Sequence, residues 1–352
     1  MSIPPDALDR ACPGDVPVVD ETGATFVWRG PDPPVLVGDF TNWWDRPIAL
    51  SPVADDVWAH HLRLPGDAYV EYGYWRSDPP GWATDPLNPR TTPSGLGWDN
   101  HWFAMPGWAE RAHTRRRRAI PRGTLTRHVV ESWLVAGERR AVYLYDPPGA
   151  GPAPLLVVLD GQDYLRRGKL AVIVDNLIAD GRIAPIAMAL VAHGNTARSV
   201  EYTCSEATLL FLTGAVIPLA ANRLDLVDPT GGAWGILGAS LGGLMALFAG
   251  LRRPDLFGRV LAQSAPFELE GHELVVFPLA RAATSPIRVW MDAGHLEDLV
   301  TGDERMAGVL IGRGIEAGFR VQHGGHNYTS WRNSVGAGLE ALFFSGTRGN
   351  GS

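Results

Sequence analysis

Cysteine, long apolar runs and a secretion signal are scarce or absent in this sequence. The two cysteines, Cys12 and Cys204, lie far apart and in no metal-ligand spacing, so neither a disulfide framework nor a zinc site is predicted. No run of 18 apolar residues is present, which argues against a membrane-spanning helix. The N-terminus lacks both a basic start and an apolar segment, the two marks of a signal peptide. We therefore expect a cytoplasmic protein without a membrane partner or a bound metal.

An excess of positive charge is also absent. The formal net charge is -7 at pH 7, which gives no electrostatic footprint for nucleic acid. The charge is unevenly distributed, since residues 1–110 carry 16 acidic and 6 basic side chains while the remainder carries 22 and 25. We expect no nucleic-acid partner, and the sequence leaves the oligomeric state open.

The composition that remains is typical of a globular protein. Hydrophobic residues make up 45% and charged residues 20% of the 352 residues, enough apolar material for a sizeable core. A chain of this length is expected to form about two domains. We divide it into a leader at 1–20, an all-β domain at 21–110, a linker at 111–125, a catalytic domain at 126–345 and a tail at 346–352.

Short strand-like runs fill the first predicted domain. The runs at 25–29, 34–38, 56–62 and 68–74 are separated by turn residues, the pattern of a small antiparallel sandwich. Nine of the 13 tryptophans lie before residue 110. Core packing explains some of them, and others are candidates for a binding surface, because an aromatic ring offers a large and rigid contact area.

Four consecutive arginines, residues 115–118, lie in the predicted linker. Proline and glycine flank them at 106–107 and 121–123, as expected for a connection between domains. One interpretation of the run is a solvated linker, and the other is a basic patch that recruits an anionic substrate.

The pattern changes in the second predicted domain. The runs at 154–159 and 186–191 are continuously apolar, which is typical of strands buried on both faces. Segments with the spacing of amphipathic helices, at 170–180 and 207–223, alternate with such runs. This alternation predicts an α/β domain with a doubly wound, mostly parallel sheet.

A candidate nucleophile lies in this second domain. Residues 238–242 read Gly-Ala-Ser-Leu-Gly and match G-x-S-x-G, with an apolar run before them and a helical pattern after them, the context that the motif needs. Ser240 is then expected on a strained turn as a nucleophile. The N–H of Leu241 is the first candidate donor to an oxyanion. The loop after an earlier strand supplies a second, where Gly161 permits close approach and the Gln162 N–H donates.

A serine nucleophile needs a base, and the base needs an acid. His326, in a glycine-containing loop after the last predicted strand, fits the base best, and His323 is the alternative. The acid is expected after the preceding strand, where Glu297 is favoured over its neighbour Asp298, and Asp292 is a third candidate. The order nucleophile, acid, histidine is that of α/β hydrolases.

Several segments resemble known families. Residues 37–43, 72–74 and 85–89 are similar to the immunoglobulin-like N-terminal domains of glycogen-branching and isoamylase-type enzymes, which implies a fold and not sugar binding. Six further blocks, in the family's order and spacing, resemble enterochelin esterases of the esterase D superfamily of α/β hydrolases: 159–162, 197–202, 238–243, 253–257, 263–264 and 324–332.

This second resemblance implies an α/β-hydrolase fold preceded by an immunoglobulin-like sandwich, and it implies roles for single residues. By resemblance, Ser240, His326 and Glu297 take the places of nucleophile, base and acid. Arg198 and Glu201 match a pair near the family's cleft, with substrate contact or a structural salt bridge as their role. Tyr328 and Trp331, in the last block, are candidate substrate-binding residues.

The expected activity is therefore two-step acyl transfer by a serine esterase that needs no metal or organic cofactor. The leading substrate is a siderophore ester, an enterobactin-type trilactone, in its ferric catecholate form or without iron. The alternative is a carbohydrate or small acyl ester of the acetyl or feruloyl type, with the sandwich holding a sugar. A carbohydrate-binding protein without activity is a third hypothesis. Because every catalytic candidate lies beyond residue 150, the sequence predicts chemistry that is independent of the first domain.

Overall fold

The computed structural model describes residues 3–4, 6–95, 97–149 and 151–344; the predicted tail at 346–352 lies outside them. The chain divides into two compact units, which we call the β-unit and the α/β-unit. The β-unit comprises Met1–Glu110 together with two later segments, Gly294–Asp298 and Gln322–Ser330, and the α/β-unit comprises the remainder.

Nearly all regular structure in the first 110 residues is antiparallel sheet. One sheet has the strand order β1-β2-β5-β4 and the other the order β3-β6-β9-β8, with β7 paired to β6. The elements are α1 (Ala7–Arg10), β1 (Val18–Val19), β2 (Gly23–Arg29), β3 (Val35–Gly38), β4 (Ser51–Ala54), β5 (Val57–Arg63), β6 (Tyr69–Ser77), β7 (Pro80–Ala83), β8 (Thr91–Pro93) and β9 (Asp99–Ala104).

Aromatic side chains from both sheets form the core of the β-unit. Phe26 on β2 packs edge-on against Tyr72 on β6, with ring centroids 4.9 Å apart, and against Phe103 on β9, with centroids 5.6 Å apart. All three side chains are fully buried. The two sheets therefore share one hydrophobic core, as in a sandwich.

The α/β-unit is built on an eight-stranded sheet with the order β10-β11-β13-β12-β14-β15-β18-β19. In that order, neighbouring strands from β13 to β18 are parallel. At one edge, β10 pairs antiparallel with β11, and β11 pairs antiparallel with β13. The elements are β10 (Thr124–Glu131), β11 (Arg139–Asp146), β12 (Leu155–Val158), α2 (Gly161–Arg166), α3 (Leu170–Ala179), β13 (Ala187–Val191), α4 (Arg198–Tyr202), α5 (Glu206–Phe211), α6 (Ile217–Ala221), β14 (Trp234–Ala239), α7 (Leu241–Arg252), β15 (Phe257–Gln263), β16 (Glu268–Leu269), β17 (His272–Glu273), α8 (Val276–Ala282), β18 (Arg288–Gly294), α9 (Val300–Gly312), β19 (Glu316–Gln322) and α10 (Tyr328–Phe343).

The central strands are apolar because helices cover them. Every residue of β12, β13 and β14 is buried, as the continuous apolar runs predicted. Helix α7 lies close against the sheet, since a Cβ on Gly250 would lie 2.3 Å from Val260 Cγ2. The predicted mostly parallel α/β sheet is present.

One predicted helix is interrupted. The segment expected to be helical at 207–223 consists of α5, a π-helical turn at Leu212–Val216 and α6. Pro218 lies in the first turn of α6, and a proline lacks the N–H that the helix ladder would use there. Prolines and single π-helical turns are both known sites at which the hydrogen-bond ladder of a helix is broken.

Within the described part of the chain, no single helix is long and apolar enough to cross a membrane. The helical segments Asn195–Tyr202 and Glu206–Ala221, which are bent by 100° relative to each other, meet the criterion together by length and composition only.

Candidate active site

Ser240 lies on a sharp turn between a buried strand and a helix. β14 ends at Ala239 and α7 begins at Leu241. Ser240 has φ 57° and ψ -131°, and a non-glycine residue held in such a sparsely populated conformation costs roughly 1–3 kcal/mol. Its N–H donates to the Gln263 carbonyl at 2.8 Å, and its carbonyl accepts from the Leu244 N–H at 3.1 Å. Backbone bonds on both sides therefore hold Ser240 in this position.

The glycines that flank the serine are required by close contacts. A Cβ on Gly238 would lie 2.2 Å from the Gly242 carbonyl oxygen, and a Cβ on Gly243 would lie 2.9 Å from the Ala265 Cβ. Side chains at these positions would push the helix away from the strand and open the turn.

Two helices begin beside each other at the carboxyl end of the sheet. β12 pairs in parallel with β14, with Val158 opposite Leu237, so the turns that follow these strands lie at the same edge. Gly161 and Gln162 open α2 there, and Leu241 opens α7. N–H groups in the first turn of a helix have no partner within the helix. They are therefore available in principle to an oxyanion.

The turn before α2 depends on a glycine and on an aspartate whose backbone lies in the left-handed region. A Cβ on Gly161 would lie 2.4 Å from the Leu190 carbonyl carbon, so the backbone approaches β13 closely. Asp160 has φ 52° and ψ 39°. The Gln162 side chain accepts the His193 N–H at 3.1 Å.

Arg198 is bound to that turn. Its guanidinium donates to both carboxylate oxygens of Asp160, at 2.7 and 2.6 Å, and to the Ala239 carbonyl at 3.3 Å. The same group lies over the Tyr202 ring, 5.2 Å from its centroid. Arg198 therefore joins the turn before α2 to the residue that precedes Ser240.

Glu201 has a different partner. Its carboxylate pairs with Arg140 at 2.5 Å and accepts the Ala136 N–H at 2.9 Å. Both charged side chains are buried. The structure thus assigns a structural salt bridge to Glu201, with a partner on β11, while its contact with substrate stays a prediction.

In the β-unit, two loops from the second half of the chain pair with each other. The His295 N–H donates to the Gln322 carbonyl at 2.8 Å, and the Leu296 N–H donates to the Gly324 carbonyl at 3.2 Å. The first loop follows β18 and the second follows β19. Their pairing brings the segment with Glu297 beside the segment with His326.

The His326 imidazole is hydrogen-bonded to the Glu297 carboxylate. The distance between His326 Nδ1 and Glu297 Oε2 is 2.8 Å, and Glu297 Oε1 accepts the Gly294 N–H at 2.8 Å. Glu297 is 7% exposed, so little water competes for its oxygens. An ionised carboxylate accepts a hydrogen bond from Nδ1–H, which leaves the lone pair of His326 on Nε2. This is the tautomer that a general base requires.

The two other candidate acids have other partners. Asp292 is fully buried, and its Oδ1 lies 3.2 Å from both Gln263 Nε2 and Ser334 Oγ. Asp298 pairs with Arg46 at 2.6 Å, and both side chains are more than half exposed. Glu297 is therefore the candidate acid that the structure places in a hydrogen bond with His326.

The alternative base lies at the surface. His323 Nδ1 is 2.5 Å from Asp67 Oδ1 in an exposed pair, and its ring packs edge-on against His295 with centroids 5.7 Å apart. Its carbonyl accepts the Tyr69 N–H at 3.4 Å. These contacts tie His323 to the start of β6.

The two aromatic residues of the last block are buried. Tyr328 is 8% and Trp331 is 5% exposed, and the Trp331 indole N–H donates to Ser264 Oγ at 2.9 Å. The polar atom of Trp331 is thus used within the protein. Substrate contact by either residue stays a prediction.

Sequence reasoning missed one residue beside this site. Asp39, in the β-unit, accepts a hydrogen bond from the side chain of Asn327 at 2.9 Å, and Asn327 follows His326. In the sequence, the segment 37–43 that contains Asp39 resembles a sandwich motif only. No local signal connects it with a residue 288 positions later.

Comparison with known proteins identifies similar chains. The family model Esterase, described as "Putative esterase", matches residues 135–342. The iron(III) enterobactin esterase of Dickeya dadantii is 30% identical over 58% of this chain and 52% of its own, so the chain matches about half the length of that relative. The iron(III) enterobactin esterase of Escherichia coli K12 is 26% identical over 86% of this chain and 77% of its own.

A solved structure shares the fold over nearly the whole length. The enterobactin esterase of Shigella flexneri, solved in the presence of enterobactin, aligns with a TM-score of 0.75 and 22% identity, over 92% of this chain and 94% of that chain. Together with the family match, this confirms the predicted α/β-hydrolase fold preceded by an all-β domain.

Proposed function

Because the chain belongs to the Esterase family, and is therefore a carboxylic ester hydrolase, we propose that it is a serine esterase for siderophore esters of the enterobactin type. Two relatives that align with it are iron(III) enterobactin esterases, which supports a small-molecule trilactone as the substrate. The observation that carries the proposal is the strained turn at Ser240, with φ 57° at the end of β14.

The base and acid are proposed from geometry within the β-unit and from chain order. The bond between Glu297 and His326 at 2.8 Å fixes the ring and leaves Nε2 as the acceptor. The order Ser240, Glu297, His326 is the order of an α/β-hydrolase triad. We assign the three residues as nucleophile, acid and base.

In the first step, Ser240 Oγ attacks the ester carbonyl carbon while His326 Nε2 takes the hydroxyl proton. Glu297 stabilises the imidazolium that forms. The N–H groups of Leu241 and Gln162 donate to the oxyanion of the tetrahedral intermediate. The C–O bond to the leaving alcohol then breaks, and His326 gives its proton to that alcohol.

The second step repeats this sequence with water. His326 takes a proton from a water molecule, whose oxygen attacks the acyl carbon bound to Ser240. The bond to Ser240 Oγ breaks, and the serine recovers its proton from the imidazolium. A trilactone would be opened at one ester in each cycle and released as the acid. Besides the substrate and this water molecule, the steps use side chains and backbone groups of the chain.

Charge distinguishes the iron-bound from the iron-free substrate. A ferric catecholate is anionic, and the net charge of -7 repels it at long range. The arginines at 115–118 are exposed, although Arg117 already pairs with Asp180 at 2.5 Å. We propose that this run provides part of the local attraction, and that iron in the substrate changes KM more than kcat.

The second candidate is a carbohydrate or small acyl ester, and an aromatic cluster of the β-unit favours it. The Trp82 ring centroid lies 6.2 Å from that of Trp43, 6.2 Å from that of Trp44 and 5.7 Å from that of Trp98. Trp44 is 45% exposed. Rigid aromatic rings, of which Trp44 is exposed, suit contact with a sugar or a feruloyl group. On this hypothesis the β-unit is an immunoglobulin-like sandwich that holds the sugar.

A panel of esters tests the two candidates together. The panel contains p-nitrophenyl acetate, a catecholate trilactone with and without iron, and acetylated and feruloylated sugars, with Ser240→Ala as the control. We expect the trilactone to give the highest kcat/KM. A preference of tenfold or more for the sugar esters would replace this substrate by the second candidate. If none of the esters is hydrolysed, carbohydrate binding without activity would be the better hypothesis.

A further inference from the structure

We infer that Asp39, a buried carboxyl group of the β-unit, is a positioning residue for the loop that carries His326. The inference rests on the proposed function, in which His326 is the base. Asp39 opens a short 3₁₀ turn, Asp39–Thr41, directly after β3, and it is 2% exposed. It contributes no reacting atom, and it acts through its contacts with the residues on either side of the histidine.

Asp39 contacts both chain neighbours of His326. Its Oδ2 accepts a hydrogen bond from Asn327 Nδ2 at 2.9 Å. On the other side, a Cβ on Gly325 would lie 2.1 Å from Asp39 Cγ, so the backbone of Gly325 packs directly on the carboxyl group. The backbone from which the imidazole extends is therefore fixed both before and after the histidine.

Asp39 is itself held by the sheet. Its Oδ2 also accepts the Glu71 N–H of β6 at 2.8 Å, and Glu71 Oε2 accepts from Asn100 Nδ2 of β9 at 2.9 Å. Asn327 continues the connection, because its Oδ1 accepts the Ser330 N–H in the first turn of α10 at 2.9 Å. A chain of hydrogen bonds thus runs from the sheet that contains β6 and β9, through Asp39, to the His326 loop.

The direction in which the pKa of Asp39 is shifted suits this role. Burial, together with the charges of Glu71 and Glu297, raises the pKa of Asp39 well above its ordinary value. Its Oδ1 is buried without a hydrogen-bond partner among the described residues. A shift toward the neutral form reduces the negative charge placed beside Glu297, which accepts a hydrogen bond from His326. An asparagine would keep the same size and the same accepting oxygen.

Asp85, another buried carboxyl group of the β-unit, is a control for a purely structural role of Asp39. Asp85 is 4% exposed, and its carboxylate accepts from the Tyr72 hydroxyl at 2.6 Å and the Leu87 N–H at 2.8 Å. These partners belong to the sandwich. Removal of either carboxyl group should destabilise the β-unit, but only removal of Asp39 should free the His326 loop.

The experiment measures kcat and KM for p-nitrophenyl acetate in the full chain, with thermal unfolding of each variant. We expect Asp39→Ala to lower kcat by about tenfold or more with KM nearly unchanged, because a small displacement of a catalytic group is costly. Asp39→Asn should keep most of the activity. Asp85→Ala should lower the unfolding temperature by a similar amount and keep the kcat of the folded protein.

A double-mutant cycle separates action through Asn327 from general loosening. If Asp39 acts through Asn327, Asp39→Ala combined with Asn327→Ala should reduce kcat little more than the worse single variant. Additive effects, or a normal kcat in Asp39→Ala, would overturn the inference. Should Asp39→Ala fail to fold, a normal kcat in Asn327→Ala would overturn it equally. Activity remaining in Ser240→Ala would instead overturn the proposed function and this inference with it.

Discussion

The hydroxyl group of Ser240 is the single atom group on which the proposed chemistry depends. Ser240→Ala should reduce esterase activity by several orders of magnitude, because loss of a triad member typically has that effect. The fold should persist, since alanine is no larger and the turn is held by backbone bonds. Labelling by a fluorophosphonate checks this, and it should vanish in the variant. Persistent labelling at another serine would contradict the assignment.

Glu297 and Asp298 are adjacent, and the structure gives them different partners. Glu297→Gln should lower kcat by roughly 10²- to 10⁴-fold with KM little changed, because it removes the charge that stabilises the imidazolium. Asp298→Asn is the matched control and should be mild, since an exposed ion pair such as the one with Arg46 contributes about 0–1 kcal/mol. Steady-state kinetics on an activated ester measure both. If Asp298→Asn lowered kcat more than Glu297→Gln, Asp298 and not Glu297 would be assigned as the acid.

At the scale of elements, the contact between β14 and α7 shapes the turn at Ser240. Gly238→Ala should lower the unfolding temperature and the activity, because its Cβ would lie 2.2 Å from the Gly242 carbonyl oxygen. Gly308→Ala in α9 is the control. A Cβ there meets nothing within 4 Å, and the change should stabilise the protein by about 0.5–1 kcal/mol. Thermal unfolding of the two variants measures the contrast, and equal effects would show that packing at this turn is not tight.

At the scale of the whole molecule, buried carboxyl groups make stability depend on pH. Burial raises the pKa of Asp85 above its ordinary value. Burial and nearby charges raise the pKa of Asp39 well above its ordinary value. Between the ordinary and the raised pKa, the native state binds more protons than the unfolded state, so the free energy of unfolding falls as pH rises. Asp39→Asn should flatten this fall. Denaturant unfolding from pH 5 to 9 measures it.

The control for that series is Gly308→Ala, which changes stability without changing an ionisable group. Its unfolding free energy should differ from that of the parent chain by a constant amount at every pH. If Asp39→Asn keeps the slope of the parent chain, Asp39 does not contribute to the pH dependence.

Much of the fold could be predicted because its signals are local. A continuous apolar run such as 186–191 identifies a strand covered on both faces, and the turn residues of the first 110 positions mark short antiparallel strands. The five residues around Ser240 predicted a strand, a turn and a helix, since the glycines that such a turn needs are its immediate neighbours. These features depend on residues that are close together in the chain.

Tertiary structure decided which side chains meet. The sequence favoured Glu297 over Asp298 and Asp292 but gave no geometry to decide among them, because the distance of a carboxylate from an imidazole depends on how two loops pair. It also could not assign partners to Arg198, which bonds Asp160, because partners of a buried charge come from whichever element packs against it.

The same reason explains why Asp39 was missed. Hydrogen bonding between Asp39 and Asn327 joins residues 288 positions apart, and no periodicity or motif extends over that distance. Sequence alone placed all catalytic candidates after residue 150 and predicted chemistry independent of the first domain. That independence stays a prediction. Tertiary structure decided that the segments with Glu297 and His326 belong with the first 110 residues in the β-unit, because contacts between distant segments depend on how the folded chain packs.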